Sequence, residues 1–254
     1  MKNLRQMLNK VPEVTLYFWI IKILCTTVGE TFADYLNGAL GLGLTNTTYV
    51  IGAILLVMLF FQFKAKKYVP AIYWLAVVFI SVVGTLITDN LTDNFEVSLV
   101  TTTVLFAIAL AATFAAWYGS EKTLSIHTIV TTKREAFYWL AILFTFALGT
   151  AAGDLIAESF EIGYLNSLFL FAALIAAVTI AYKAFKLNAV LAFWIAYILT
   201  RPLGASIGDY LSQTADDGGL GLGTTTTSAI FLGLILVLVV YLTVTRRDEI
   251  RART

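Results

Sequence analysis

Trp19-Ile20-Ile21-Lys22-Ile23-Leu24-Cys25-Thr26-Thr27-Val28-Gly29-Glu30-Thr31-Phe32-Ala33-Asp34 decides the fold, because its spacing recurs three more times along the chain. Trp74, Trp139 and Trp194 are followed ten residues later by Gly84, Gly149 and Gly204, and fifteen residues later by Asp89, Asp154 and Asp209. Self-similarity at a fixed period marks a repeat architecture, in which each copy is one supersecondary unit. The tryptophans lie 55, 65 and 55 residues apart, so the extra length falls in the middle, around His127. The first and last copies share Leu42-Gly43-Leu44 with Thr47-Thr48 against Leu220-Gly221-Leu222 with Thr224 to Thr227. The middle copies share Phe95-Glu96-Val97 against Phe160-Glu161-Ile162.

The sequence around these copies is a membrane sequence. Hydrophobic residues make up 59% of the 254, charged residues only 13%, and mean hydropathy is +0.84. Segments of roughly 20 apolar residues, enough to cross about 30 Å of hydrocarbon, recur with cores at 13–34, 45–63, 70–88, 97–118, 136–154, 163–182, 188–209 and 224–245. They are continuously apolar, whereas a membrane barrel strand alternates, so helices that satisfy their own backbone are expected. The first segment is too long for the apolar region of a signal peptide and lacks a small-residue cleavage site, so it reads as a retained span. The expected fold is an all-α polytopic membrane protein: eight transmembrane helices in four two-helix repeats, about 13–66, 70–120, 135–186 and 188–245, within one domain over 1–254. Each repeat reads as a hairpin of two spans. All four enter the membrane the same way, which sets the pseudo-symmetry axis along the membrane normal.

Charge gives the orientation. Lys2, Arg5 and Lys10 precede the first span; Lys64, Lys66 and Lys67 follow the second; Lys122, Lys133 and Arg134 sit in the loop over about 119–134; Lys183 and Lys186 end the sixth. Arg246, Arg247, Arg251 and Arg253 follow the eighth, which leaves only Lys22 and Arg201 elsewhere. The loops on the opposite side hold Asp93, Glu96, Glu158, Glu161, Asp216 and Asp217 and no Lys or Arg. By the positive-inside rule both termini are cytoplasmic. The net charge of +1 therefore hides an asymmetry whose basic face meets anionic lipid rather than nucleic acid.

Two stretches carry a family resemblance: Lys22-x-x-x-Thr26-Thr27-x-Gly29-Glu30-x-x-x-Asp34-Tyr35-Leu36, and Thr200-Arg201-Pro202-Leu203-Gly204-Ala205-Ser206-x-x-Asp209-Tyr210-Leu211. The chain resembles, over essentially its whole length, bacterial membrane proteins built from four tandem repeats of unknown function, each with two spans and a characteristic tryptophan. The resemblance implies an eight-span inner-membrane protein and supplies no activity, so function is argued from the residues.

Within each copy the polar residues line one helix face. Lys22, Thr26, Glu30 and Asp34 stand four apart, a stripe about 18 Å long. Its counterparts are Ser81, Thr85, Asp89 and Asp93; Thr150, Asp154 and Glu158 after Phe146; and Tyr197, Arg201, Ala205, Asp209 and Gln213. A charge near the bilayer centre costs about 2.5–3.5 kcal/mol on insertion scales, so these stripes face protein or water. Lys22 lies near enough to the cytoplasmic end to snorkel towards it. Arg201 does not, so it is expected to pair with Glu30 or a member of the Asp set, and Pro202 to kink its helix.

Plainer readings account for other features. The tryptophans suit interfacial anchors, the glycines close packing of helices, Cys25 a buried packing site, and His127 a solvated loop. The glycine-rich runs near 38–43 and 218–223 read as turns. One His, one Cys and three Met cannot build a thiolate or multi-His metal site, and no nucleophile has a credible base, so neither an enzyme nor a cofactor is expected. Carboxylates suit hard cations such as manganese, magnesium, calcium or sodium, or protons, and the expected ligand set is Glu30, Asp34, Asp89, Asp154 and Asp209. The expected function is transport of such a cation along Lys22, Thr26, Thr27, Glu30, Asp34, Asp89, Asp154, Arg201 and Asp209, with Glu30 changing partner or protonation. Alternatives are a carrier of anions or small organic acids that uses Lys22 and Arg201, and a membrane scaffold or sensor. The partners expected are the bilayer and a small ion or molecule; oligomeric state is open.

Overall fold

The computed structural model describes residues 9–249; Lys2, Arg5, Arg251 and Arg253 of the charge argument lie outside the described residues. Eight long helices are present among them: α1 (Leu16–Asp34), α2 (Leu44–Lys64), α3 (Pro70–Asp89), α4 (Leu99–Glu121), α5 (Thr132–Asp154), α6 (Tyr164–Ala184), α7 (Ala189–Ser212) and α8 (Thr224–Thr245). All eight are long and apolar enough to cross a membrane, so the chain is a multi-pass, all-helical protein of four two-helix repeats. Local chemistry sets their starts. Thr15, Ser98 and Thr131 accept the N–H of Phe18, Thr101 and Arg134, and Asn188 accepts from Val190 and Leu191. Pro70 opens α3, where its missing N–H would have had no helical partner.

Burial separates the helices into two layers. In α1, α3, α5 and α7 between 56 and 72% of the most apolar stretch is buried in the protein, against 11 to 22% in α2, α4, α6 and α8. The odd helices close a ring, α1 on α3, α3 on α5, α5 on α7 and α7 back on α1. Around them α2 lies on α3, α4 on α5, α6 on α7 and α8 on α1. The simple hairpin expected from the sequence is thereby corrected: the second helix of each repeat packs mainly on the first helix of the next. The connection allows it, because a wide turn and a loop separate Asp34 from α2 and let the chain pass beyond its own partner.

The repeated glycines explain how the ring closes. A Cβ on Gly29 would strike Ser81; on Gly84, Phe146; on Gly149, Arg201; on Gly204, Thr26. Each glycine thus admits the residue that stands seven after the tryptophan of the next copy, and the fourth admits that of the first. Close helix approach through small residues is how membrane helices gain contact when lipid offers no hydrophobic driving force.

The tryptophans are corrected as well. Trp74, Trp139 and Trp194 are buried inside the bundle rather than anchored at a lipid interface, and Trp19 is half-buried. They sit on the inner helices, where Phe18, Tyr73, Tyr138 and Phe193 precede them and pack with them. Two of the indoles are served within the protein, that of Trp74 donating to Tyr68 Oη at 3.1 Å and that of Trp194 to Leu124 O at 2.9 Å, while the buried indole N–H of Trp139 has no partner among the described residues. Tyr73 and Tyr138 share a hydrogen bond of 2.5 Å between the neighbouring helices α3 and α5.

Beyond this aromatic layer, the basic end is closed by residues 9–13. Asn9, Lys10, Val11 and Pro12 are buried. Lys10 Nζ meets Glu135 at 2.6 Å and donates to Phe63 O at 2.8 Å, while Gln62 donates to Glu135 at 3.0 Å. Backbone bonds from Lys10 N to Ile129 O, Tyr68 N to Asn9 O and Glu13 N to Asp248 O tie this strap to two loops and to the residues after α8. Tyr68 Oη also donates to Asp248 at 2.5 Å. Burial raises the pKa of both groups.

Candidate functional site

Above the aromatic layer, the inner faces of the four ring helices carry their polar residues in levels set by distance from each tryptophan. At the first level Lys22 is fully buried. Its Nζ lies 4.2 Å from the ring centres of both Phe146 and Tyr197 and donates to Thr200 Oγ1 at 3.2 Å. The expected snorkelling towards the cytoplasm is therefore corrected. Two aromatic faces contributed by α5 and α7 hold the ammonium inward, each an electrostatic contact of about 0.5–2 kcal/mol.

The second level holds Thr26, Ser81, Phe146 and Arg201, all seven residues after their tryptophan; the third holds Glu30, Thr85, Thr150 and Ala205, all eleven after it. Arg201 reaches from the second level into the third. Its Nη2 meets Glu30 Oε2 at 2.7 Å, donates to Thr150 Oγ1 at 2.7 Å and to Thr85 Oγ1, and Nη1 donates to Thr26 O at 3.3 Å. A single guanidinium rooted in α7 therefore bonds α1, α3 and α5, and the small Ala205 in its own helix leaves the room. The carboxylate partner is the Glu30 expected from sequence. Arg201 Nε is buried without a hydrogen-bond partner. Pro202 lies inside an unbroken α7 and packs against Gly149 and Gly153.

The fourth level is the Asp set. Helices α1, α3 and α5 each widen immediately after Asp34, Asp89 and Asp154 into five-residue π turns at Tyr35–Ala39, Asn90–Asn94 and Leu155–Ser159. They are closed by bonds of 3.0 Å from Leu40, Phe95 and Phe160 to the carbonyl five residues back. Single π turns of this kind are frequent at functional sites. Helix α7 has none and ends at Ser212. At this level one carboxylate oxygen each of Glu30, Asp154 and Asp209 lies within 4.8 Å of the others. Ligands about 2.0–2.6 Å from a hard cation are themselves about 3–5 Å apart, so this trio has the size of a shared oxygen site. Glu30 and Asp209 are each 7% exposed, while Asp154 is half-buried. Among the described residues Asp209 has no basic side chain within ion-pair distance, and Glu30 has only Arg201.

Not every residue expected to act in this site joins the trio. Asp34 and Asp89 are half-buried at the same level, within electrostatic reach of Glu30 but outside the cluster. The hydroxyls of Thr26 and Thr27 turn back to Ile23 O at 2.7 and 3.1 Å, and that of Thr26 also donates to Thr200 O at 3.1 Å; both residues serve the crossing of α1 with α7 beside Gly204. Thr85 and Thr150 were absent from the expected site and hold the guanidinium. The signal for them is register, since they stand where Glu30 stands in its copy. Phe146 and Tyr197, which cage Lys22, stand on the stripes of their copies by register, but the cage itself carried no signal, because that contact joins three copies. Cys25 is buried and free, and His127 is exposed in a short turn at Ile126–Thr128.

No curated protein and no solved structure matches the chain. A family match does cover the repeats, at residues 17–68, 72–123, 137–187 and 192–248, and each matched stretch starts two residues before its tryptophan. The description of that family is Repeat of Unknown Function (DUF347), and the chain, matched over all four copies, belongs to it.

Proposed function

We propose that the protein moves a hard cation across the bacterial inner membrane and performs no covalent chemistry on it. The observation that carries this reading is the approach of Glu30, Asp154 and Asp209 to within 4.8 Å at the acidic end of the ring. Five carboxylates, counting Asp34 and Asp89, surround this end, and only Glu30 is bonded to a cation. The oxygen-only donor set favours manganese, magnesium, calcium or sodium over copper or zinc. In this reading the basic end lies in the cytoplasm, as the distribution of Lys and Arg implies, and the acid cluster is the outer mouth. A cation entering there competes with Arg201 for Glu30. Release of the guanidinium loosens the bonds that draw α1, α3 and α5 towards α7, which links occupancy of the mouth to the packing of the ring.

Purified protein in liposomes loaded with a manganese-quenched dye tests this. Glu30→Gln, Asp154→Asn and Asp209→Asn should each lower uptake by about tenfold or more while inserting normally, since loss of one charged ligand from a three-carboxylate site removes over 1.4 kcal/mol of binding. Wild-type liposomes that pass manganese, magnesium, calcium and sodium no faster than empty ones would falsify the reading. A structural pin is the second reading, favoured by the four helices that Arg201 ties together. It predicts that the same variants lose thermal stability and leave every flux unchanged. An anion carrier predicts instead that Arg201→Lys already damages flux of a small organic acid, because the planar fork is lost.

A further inference from the structure

The ring leaves two lateral grooves on its membrane side, and they are not equivalent. One, of about 610 Å³, lies between α2, α3 and α5; the other, of about 490 Å³, lies between α6, α7 and α1, where the two-fold relation between the halves requires a counterpart. At the other two seams the covering helix reaches the far inner helix. Phe114 and Trp117 of α4 pack on Trp194 with ring centres 4.9 and 5.9 Å apart, and α8 reaches across α1 to touch α3.

The groove between α6, α7 and α1 has a polar rim at the basic end of the bundle. Glu13, His127 and Lys183 are exposed there, with Ser125 beside them, and below the rim the lining runs along α7 from Ala189 through Ala196 to Thr200. Eleven residues of helix rise about 16 Å, which matches the half-thickness of about 15 Å that one acyl chain fills. The depth therefore fits a lipid of the leaflet at the basic end. The rim selects among lipids by charge. It offers one ammonium, on Lys183, and one carboxylate, on Glu13, with Ser125 and His127 between the helices. A phosphate satisfies the first, and a headgroup that can donate hydrogen bonds to Glu13 satisfies the second. A fully methylated amine leaves Glu13 without a donor, and a glycerol headgroup offers it only uncharged hydroxyls, which make the weaker hydrogen bond.

We infer that this groove is a binding site for a phospholipid with a primary-amine headgroup, phosphatidylethanolamine, whose phosphate meets Lys183, whose ammonium meets Glu13, and one of whose acyl chains lies along α7 to Thr200. The site stands apart from the carboxylate cluster and does not rest on the transport reading. Thr200 at its inner end accepts from Lys22, so the chain terminus abuts a residue that supports the buried ammonium.

Native mass spectrometry on detergent-purified protein given equal amounts of dioleoyl phosphatidylethanolamine, phosphatidylcholine and phosphatidylglycerol tests the assignment. The ethanolamine lipid should be retained about fivefold over the choline lipid, the scale of one exposed charged hydrogen bond. Glu13→Gln should erase that preference, Lys183→Ala should lower retention of both, and Ala196→Phe should lower retention of all three by filling the groove. Equal retention of ethanolamine and choline lipids by the wild-type protein, or preference for phosphatidylglycerol, overturns the proposal with no variant needed. A preference that survives Glu13→Gln, or lipid retention unaffected by Ala196→Phe, overturns it as well.

Discussion

Arg201 is fully buried and Glu30 nearly so, and the two form an ion pair at 2.7 Å. Four protein oxygens take the place of water around the guanidinium. Arg201→Ala should lower unfolding free energy by about 3–5 kcal/mol, because a buried carboxylate is left uncompensated, and thermal unfolding in detergent reads the loss. Glu30→Gln should cost less, since the amide oxygen still accepts from the guanidinium. An Arg201→Ala protein as stable as wild type would show that the pair holds nothing. At the basic end, Asp248 is buried and its pKa is raised by that burial. Its protonated form is thus the one the fold favours: the stability it contributes is complete below the unfolded value of about 3.9 and is lost as pH rises through the higher folded value. Asp248→Asn should therefore flatten the pH dependence of the thermal midpoint in that direction, while Tyr68 keeps an acceptor. The pairing of Arg201 was legible in the sequence, because an arginine that deep in a span must have a counter-charge and few were available. The cage around Lys22 was not, because register places Phe146 and Tyr197 on the inner stripes without showing that their rings meet a lysine of another copy.

The elements meet through the glycines. Gly29→Ala, Gly84→Ala and Gly204→Ala should each destabilise by about 1–3 kcal/mol through overpacking, with thermal unfolding as the readout. Gly52→Ala on the lipid-facing α2 meets nothing and should be neutral or slightly stabilising by helix propensity. Equal effects at Gly52 and Gly204 would contradict the ring contacts. The strap over residues 9–13 gives an element-scale test of its own. Lys10→Ala removes the ionic partner of the fully buried Glu135, and loss of this closure should raise the labelling rate of Cys25, the single and fully buried cysteine, by thiol reagents. At this scale the sequence yields helices readily and neighbours poorly. Hydropathy reports that a segment leaves water but not which protein face it meets, so α2 reads as the partner of α1 although it covers α3. The tryptophans misled for a related reason: an amphipathic ring beside a helix end suits a headgroup region and an aromatic core alike, and only the inner placement of the odd helices separates the two.

For the molecule as a whole, closure follows from one contact made four times. Each half of the chain sends its last helix to the other half, α4 onto α5 and α8 onto α1. A chain cut within residues 123–131 and expressed as two pieces should therefore assemble when both are present, with each half recovered by a tag on the other. Either half alone leaves an inner helix uncovered and should be degraded or aggregate; halves that accumulate separately as stable, monodisperse species would contradict the exchange. The four-copy order was plain from the Trp, Gly and Asp spacing, whereas the one-step offset of the covering helices is a property of loops and had no residue pattern of its own. That offset has a consequence for how such a protein can change. Open solenoids lengthen by inserting a unit, because their ends are capped and their neighbours independent. Here the last unit supplies what the first one lacks, so the array has no end at which to grow, and a duplicated or deleted copy would have to re-form the whole circle at a new diameter. The number four is thus locked by geometry, and variation is left to what each copy carries at its inner levels.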